Sequence, residues 1–182
     1  MTETRTLSGK TAIITGASSG IGRSIATCLS RAGAHVYLAG RSTDLMKETQ
    51  KQLEDSGGRA TVVGVDVRDI GQLQELVAGA LRETGRLDIM VNNAGLSYPG
   101  AIADADPEHW REMLETNVLG LLVGSQAAIR AMRQCGAEGT SSISHQSLRS
   151  AATPECTEPP STQSIASRAR SGGSSRTTRS AW

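Results

Sequence analysis

Thr15-Gly16-Ala17-Ser18-Ser19-Gly20-Ile21-Gly22 is the stretch on which the reading of the fold turns. Before it, Thr11–Thr15 (TAIIT) is a short apolar run stopped by glycine, which predicts a buried strand. After it, Ile21, Ile25, Leu29 and Ala32 recur at helical spacing and predict a helix with those side chains on one face. Strand, glycine-rich turn and helix form the opening unit. The alternation continues with a strand at His35–Ala39 (HVYLA), a helix at Asp44–Asp55 and a strand at Ala60–Val67 (ATVVGVDV). A helix follows at Gly71–Glu83, with Leu73, Leu76, Val77 and Leu81 on one face, and then a fourth strand at Leu87–Val91 (LDIMV). Asp69 with Gln72 three residues later reads as a capping-box start, and Asp106-Pro107-Glu108 as an N-cap with proline in the first helical position. Strands rich in β-branched residues, separated by helices and short turns, imply parallel βαβ units with helices on both faces. The predicted class is therefore α/β, a doubly wound parallel sheet.

In such a fold, the backbone N–H groups at the start of the first helix can receive the pyrophosphate of a dinucleotide, and glycines let the backbone approach it. On spacing alone the signal is weak, and a tight βα turn without a ligand is a serious competing reading. The full pattern TGxxxGIG over residues 15–22 narrows the choice, because three further motifs follow it in order. These are Asp66-Val67 at the end of the third strand, Asn92-Asn93-Ala94-Gly95 at the end of the fourth, and Asn117 within Leu114-Glu115-Thr116-Asn117-Val118. Together they resemble the short-chain dehydrogenase/reductase family, over roughly residues 7–139.

The resemblance implies a Rossmann-like domain and a nicotinamide dinucleotide cofactor. It places Gly16, Ser18, Ser19, Gly20, Ile21 and Gly22 at the cofactor, Asp66 and Val67 at the adenine, and Asn93, Ala94 and Gly95 along the cofactor and the sheet. It gives Asn117 a role in positioning the catalytic Lys. An acidic residue at the end of the second strand would accept hydrogen bonds from a ribose 2′-hydroxyl, but here the chain has Gly40-Arg41. The planar guanidinium of Arg41 suits a phosphate, so NADP(H) is expected over NAD(H); a lone solvated charge is the other reading of Arg41. The function implied is hydride transfer between nicotinamide and a carbonyl or alcohol carbon, with a small carbonyl or alcohol compound as substrate.

The family's chemistry also needs a Ser, and a Tyr and Lys in the motif YxxxK, in which a nearby ammonium favours the phenolate. That motif is absent. The two tyrosines are Tyr37 and Tyr98, and the last lysine is Lys51. Residues 1–139 therefore read as a partial dinucleotide-binding domain, and this chain is expected to turn over little or no substrate. A non-catalytic dinucleotide-binding or interaction protein is the rival reading.

Residues 140–182 differ in kind. Of these 43 residues 18 are Ser or Thr, and five Arg stand against two Glu, so the near-neutral total of +1 hides a basic end segment. Three origins compete: an evolved tail on an inactive paralogue, a Ser/Arg-rich segment binding nucleic acid, or translation out of frame. The genetic code tests the third. Joining the last base of each codon to the first two of the next, Gly139 to Leu148 permits His-Ile-Val-Asn-Ile-Ser-Ser-Val-Ala, resembling the family's catalytic strand with its Ser. Pro154 to Ile165 permits Gly-Val-Tyr-Gly-Ala-Thr-Lys-His-Ala-Val-Asn, which contains YxxxK, and Arg176 to Trp182 permits Asp-Asp-Ala-Ile-Arg-Val, resembling a following strand. Three ordered matches in one frame favour a single base lost near codon 139. On that reading the segment is a disordered tail, the fourth strand loses its outer neighbour, and five arginines without interleaved aromatics make no nucleic-acid partner expected.

The remaining composition adds bounds. Cys28, Cys135 and Cys156 lack metal-ligand spacing, so no metal is expected. No charged leader precedes an apolar stretch and no apolar run approaches bilayer length, so a soluble, cytoplasmic protein without a membrane partner is expected.

Overall fold

Side-chain alternation along the first two strands decides where the layers lie. In β1 (Thr11–Thr15), Ala12 and Ile14 face one side of the sheet and Ile13 the other. In β2 (His35–Gly40), Val36 and Leu38 join the first side, and Tyr37 and Ala39 the second. Every residue of both strands is buried, as a parallel sheet covered on both faces requires. The computed structural model describes residues 6–137 and 139–143.

The remaining elements are α1 (Gly20–Arg31), α2 (Thr43–Asp55), β3 (Arg59–Gly64), α3 (Ile70–Thr84) and β4 (Ile89–Asn92). They are followed by α4 (Pro107–Leu114), a π-helical stretch (Glu115–Gly120), α5 (Leu121–Gln134) and β5 (Thr140–Ile143). All strand pairs are parallel, and the order is β3-β2-β1-β4-β5. On one face Ala26 of α1 and Met46 and Leu53 of α2 pack with Ala12, Ile14, Val36 and Leu38. On the other, Leu73, Leu76 and Val77 of α3 and Ala128 and Met132 of α5 pack with Ile13, Tyr37 and Met90. This is the doubly wound α/β architecture.

Both cap signals hold, one in altered form. Asp106 accepts a hydrogen bond from Glu108 N at 2.9 Å, with Pro107 opening α4. Asp69 accepts from Gln72 N at 3.0 Å, but the Gln72 carboxamide oxygen reaches past the cap to accept from Asp66 N at 2.9 Å. The cap thereby also anchors the chain leaving β3.

Three expectations are corrected. Gly22, Ala26 and Ser30 are the residues α1 buries fully, because small residues let it lie close to the sheet; Ile25 and Leu29 pack against the core as expected, while Ile21 is 43% exposed. The third strand ends at Gly64, paired with Gly40, so Asp66 and Val67 lie beyond it rather than within it. Asp66 starts a turn, since its backbone oxygen accepts from Asp69 N and its carboxylate from Arg68 N. Finally, β4 has an outer neighbour. Thr140–Ile143 pair with it in parallel, from Ile89↔Thr140 to Asn92↔Ile143. Strand pairing is a backbone interaction, and Thr and Ile suit a pleated strand whatever the character of the segment after them. The expectations for residues 144–182 lie outside the described residues.

Candidate functional site

The chain runs from β1 outward to β2 and β3, then crosses back to place β4 on the other side of β1. Such a reversal opens a crevice at the carboxyl ends of the two central strands, which is where ligands of open α/β sheets bind. The turn after β1 and the Asn-Asn-Ala-Gly segment after β4 meet at this point.

Thr15 and Asn93 stitch the two strand ends together. Thr15 Oγ1 accepts from Asn93 N at 3.0 Å and Ala94 N at 3.1 Å, and donates to Val91 O at 3.3 Å. The fully buried Asn93 side chain donates from Nδ2 to Thr15 O at 3.0 Å and Gly16 O at 3.1 Å. This close packing explains two glycines. Gly16 has φ +66°, and a Cβ there would sit 2.9 Å from Ala94 Cα. A Cβ on Gly22 would sit 2.4 Å from Gly16 O and 2.5 Å from Asn93 Nδ2. The turn is therefore held in one shape from behind, and Arg23 fastens it further by donating to Ser18 O at 2.6 Å.

In front, Ser19 stands at the N-cap of α1 without a side-chain cap bond. The first-turn N–H groups thus lack the partner that a capping hydroxyl provides, and the helix presents the positive end of its dipole. A cleft of about 190 Å³ opens there, walled by Gly16, Ser18, Ser19, Arg41, Asp66, Val67, Ala94 and Gly95 among the expected residues. Gly20, Ile21, Gly22, Asn93 and Asn117 do not line it. Gly22 and Asn93 pack against the turn, and Asn117 is bonded to the backbone of Leu96, which lines the cleft. Residues that the motif reading missed also line it, among them Arg68, Leu96 and Thr116. Thr15 was missed as well, although as the first letter of TGxxxGIG it was in plain view.

The charges in the cleft are unequal in their freedom. Arg41 is exposed and makes no ion pair among the described residues. Asp66 is gripped by Arg68, with Nε to Oδ1 at 3.1 Å, Nη2 to Oδ2 at 2.8 Å and the Arg68 backbone N to Oδ1 at 3.0 Å. The Arg68 hydrogen bond holds the Asp66 carboxyl below its ordinary pKa against the opposing effect of burial, and the charge of Arg41 adds to the lowering.

Asn117 sits in the π-helical stretch rather than in regular α-helix. Its carboxamide is bonded both ways to one residue: Oδ1 accepts from Leu96 N at 2.8 Å, and Nδ2 donates to Leu96 O at 2.8 Å. The helix crossing β4 is thus tied to the segment that forms the cleft wall. The tyrosines point elsewhere. Tyr37 is buried in the sheet, where desolvation and the neighbouring Glu83 carboxylate push its phenol above the ordinary range. Tyr98 donates to Glu112, which also raises its pKa.

A glycine-rich strand–turn–helix at the switch point of a parallel sheet defines a dinucleotide-binding-type α/β protein. The short chain dehydrogenase family model matches residues 10–147, and the chain belongs to that family. An uncharacterized oxidoreductase of Methylorubrum extorquens is 38% identical over 131 residues, 71% of this chain and 53% of that protein. A short-chain dehydrogenase/reductase of Mycobacterium marinum superposes with a TM-score of 0.74 at 36% identity, covering 78% of this chain and 57% of that one. A short chain dehydrogenase of Burkholderia cenocepacia, solved in complex with NADP, gives 0.67 at 34% identity, with 70% and 52% covered. The chain spans about half the length of these relatives. Among the described residues no helix is long and apolar enough to cross a membrane.

Proposed function

We propose that this chain holds a nicotinamide dinucleotide across the carboxyl ends of β1, β2 and β4, and that it prefers NADP(H) to NAD(H). The observation that carries the reading is the uncapped start of α1 behind a turn in which Gly16 and Gly22 leave no room for a side chain. That arrangement suits a pyrophosphate at Gly16 to Gly22, with the adenine toward Asp66 and Val67 and the nicotinamide half toward Asn93, Ala94 and Gly95. Arg41, exposed and without an ion-pair partner among the described residues, supports recognition of a 2′-phosphate. NADP in the Burkholderia cenocepacia relative agrees with this choice.

Bound there, the cofactor would supply the hydride donor or acceptor for a carbonyl or alcohol carbon, the substrate class of the family. The protein's own part in proton transfer is missing from these 182 residues. Neither tyrosine has an ammonium beside it to lower its pKa, both are pushed upward instead, and YxxxK does not occur. We therefore assign this chain cofactor binding without appreciable turnover, in keeping with the non-catalytic dinucleotide-binding alternative.

Fluorescence titration with NADPH and NADH tests the binding. Tighter NADPH binding by about tenfold is expected, abolished in Arg41→Asp, and equal affinities would refute the preference.

A further inference from the structure

Arg68 belongs to none of the motifs, yet it occupies the centre of a polar chain that leaves the cleft. Its Nε and Nη2 grip the Asp66 carboxylate side-on, and its Nη1 reaches Glu112 Oε1 of α4 at 3.4 Å. Glu112 accepts from the Tyr98 hydroxyl through its other oxygen, and the Tyr98 ring stacks on His109 with centroids 3.9 Å apart and planes 13° from parallel. Five residues from three separate parts of the chain thus form one connected path from the cleft wall, through α4, to the segment that follows Gly95.

The grip on Asp66 has a chemical consequence. A carboxylate offers about four lone-pair sites, and the Arg68 side chain and backbone take most of them in a fixed orientation. A guanidinium does this where an ammonium would not, because its planar fork meets both oxygens at once. Arg68 itself lines the cleft beside Arg41, so its position is part of the shape that a ligand meets.

We propose that Arg68 is a positioning residue for the adenosine end of the cofactor, and that through Glu112 and Tyr98 it couples occupancy of that end to the segment Leu96 to Asp106. The inference rests on the dinucleotide reading above. It differs from a purely structural role, in which Arg68 would merely tie α4 to the turn after β3. A structural tie would alter stability without regard to which half of the cofactor is bound.

The test compares adenosine 2′,5′-bisphosphate, nicotinamide mononucleotide and NADPH on the full 182-residue chain and on Arg68→Met, Arg68→Lys and Glu112→Gln. Arg68→Met should weaken adenosine 2′,5′-bisphosphate and NADPH by about tenfold or more and leave nicotinamide mononucleotide unchanged. Arg68→Lys should recover little of this, since it restores the charge without the fork. Hydrogen exchange supplies the coupling readout. Adenosine 2′,5′-bisphosphate should slow exchange of amides in residues 96–112 in the wild type, and Glu112→Gln should bind it while losing that protection. Unchanged affinity in Arg68→Met, or a loss equal for both halves, would overturn the inference and leave the dinucleotide reading intact. A wild-type chain that binds neither the bisphosphate nor NADPH would overturn both.

Discussion

The carboxamide of Asn117 and the backbone of Leu96 form a closed pair, each donating to the other at 2.8 Å. Two elements separated by 21 residues are joined at the wall of the cleft. The π-helical turn at Glu115–Gly120 brings the side chain to this position, consistent with the enrichment of such turns at functional sites. Asn117→Leu should leave both Leu96 groups without their partner and cost about 1–3 kcal/mol. Asn117→Asp retains the acceptor, but sets a carboxylate oxygen against the Leu96 carbonyl. Urea denaturation should rank wild type above both variants, and hydrogen exchange should show faster opening at residues 94–100. Equal stability of all three would refute the argument.

The two glycines of the turn should separate steric from conformational cost. Gly22→Ala drives a methyl group into Gly16 O and Asn93 Nδ2, and neither is the free end of a flexible chain. Overpacking of this kind costs about 1–3 kcal/mol or more and should abolish cofactor binding. Gly20 has φ +54°, but no atom within 4 Å of its Cβ position, so Gly20→Ala should cost about 1 kcal/mol of backbone strain alone. Thermal melts of the two variants should differ in that order.

Asp88 joins the opposite ends of β1 and β4, and its ionisation should be visible in acid. Oδ2 accepts from Thr11 N at 3.0 Å and Arg86 Nε at 2.7 Å, while Oδ1 accepts from Lys10 at 3.1 Å. Burial favours the neutral acid, but the hydrogen bonds from Arg86, Thr11 and Lys10 together outweigh it and hold the pKa at about 2. The folded value lies below the unfolded value of about 3.9, so the ionised form stabilises the fold above about pH 4. That contribution, about 2 kcal/mol, is lost as the pH falls through 2. Asp88→Asn should lower the melting temperature at pH 7 and flatten the dependence between pH 4 and 2. An unaltered acid limb in the variant would count against this account.

Absence of YxxxK leads to a paired prediction on activity. Purified protein should show no NADPH-dependent reduction of simple aldehydes and ketones above background. Restoring one base near codon 139 should yield a longer open frame with the Ser and YxxxK, and reduction should appear with it. A stop codon soon after the repair, or turnover by the 182-residue chain, would contradict the frame reading. The pairing of β5 with β4 gives the outer row of β4 backbone groups partners, so the 182-residue chain does not present β4 as a bare edge.

Much of this protein was legible in its sequence because the relevant physics is local. The apolar runs at Thr11–Thr15 and His35–Ala39, the helical spacing in α3 and the caps at Asp69 and Asp106 depend on near neighbours along the chain. So does the order of the family motifs. What tertiary structure alone decided involves partners far apart in the chain. Gly22, Ala26 and Ser30 of α1 lie innermost, with Ile25 packed beside them and Ile21 left outside, because the sheet comes that close. Thr15 serves Asn93 and Ala94 because β1 and β4 are adjacent, 76 or more residues apart in sequence. Arg68 turns to Asp66 and Glu112, rather than to solvent, because α4 packs beside the turn after β3. Thr140–Ile143 become a strand because β4 offers unpaired N–H and C=O groups, a demand that the composition of residues 140–182 does not express.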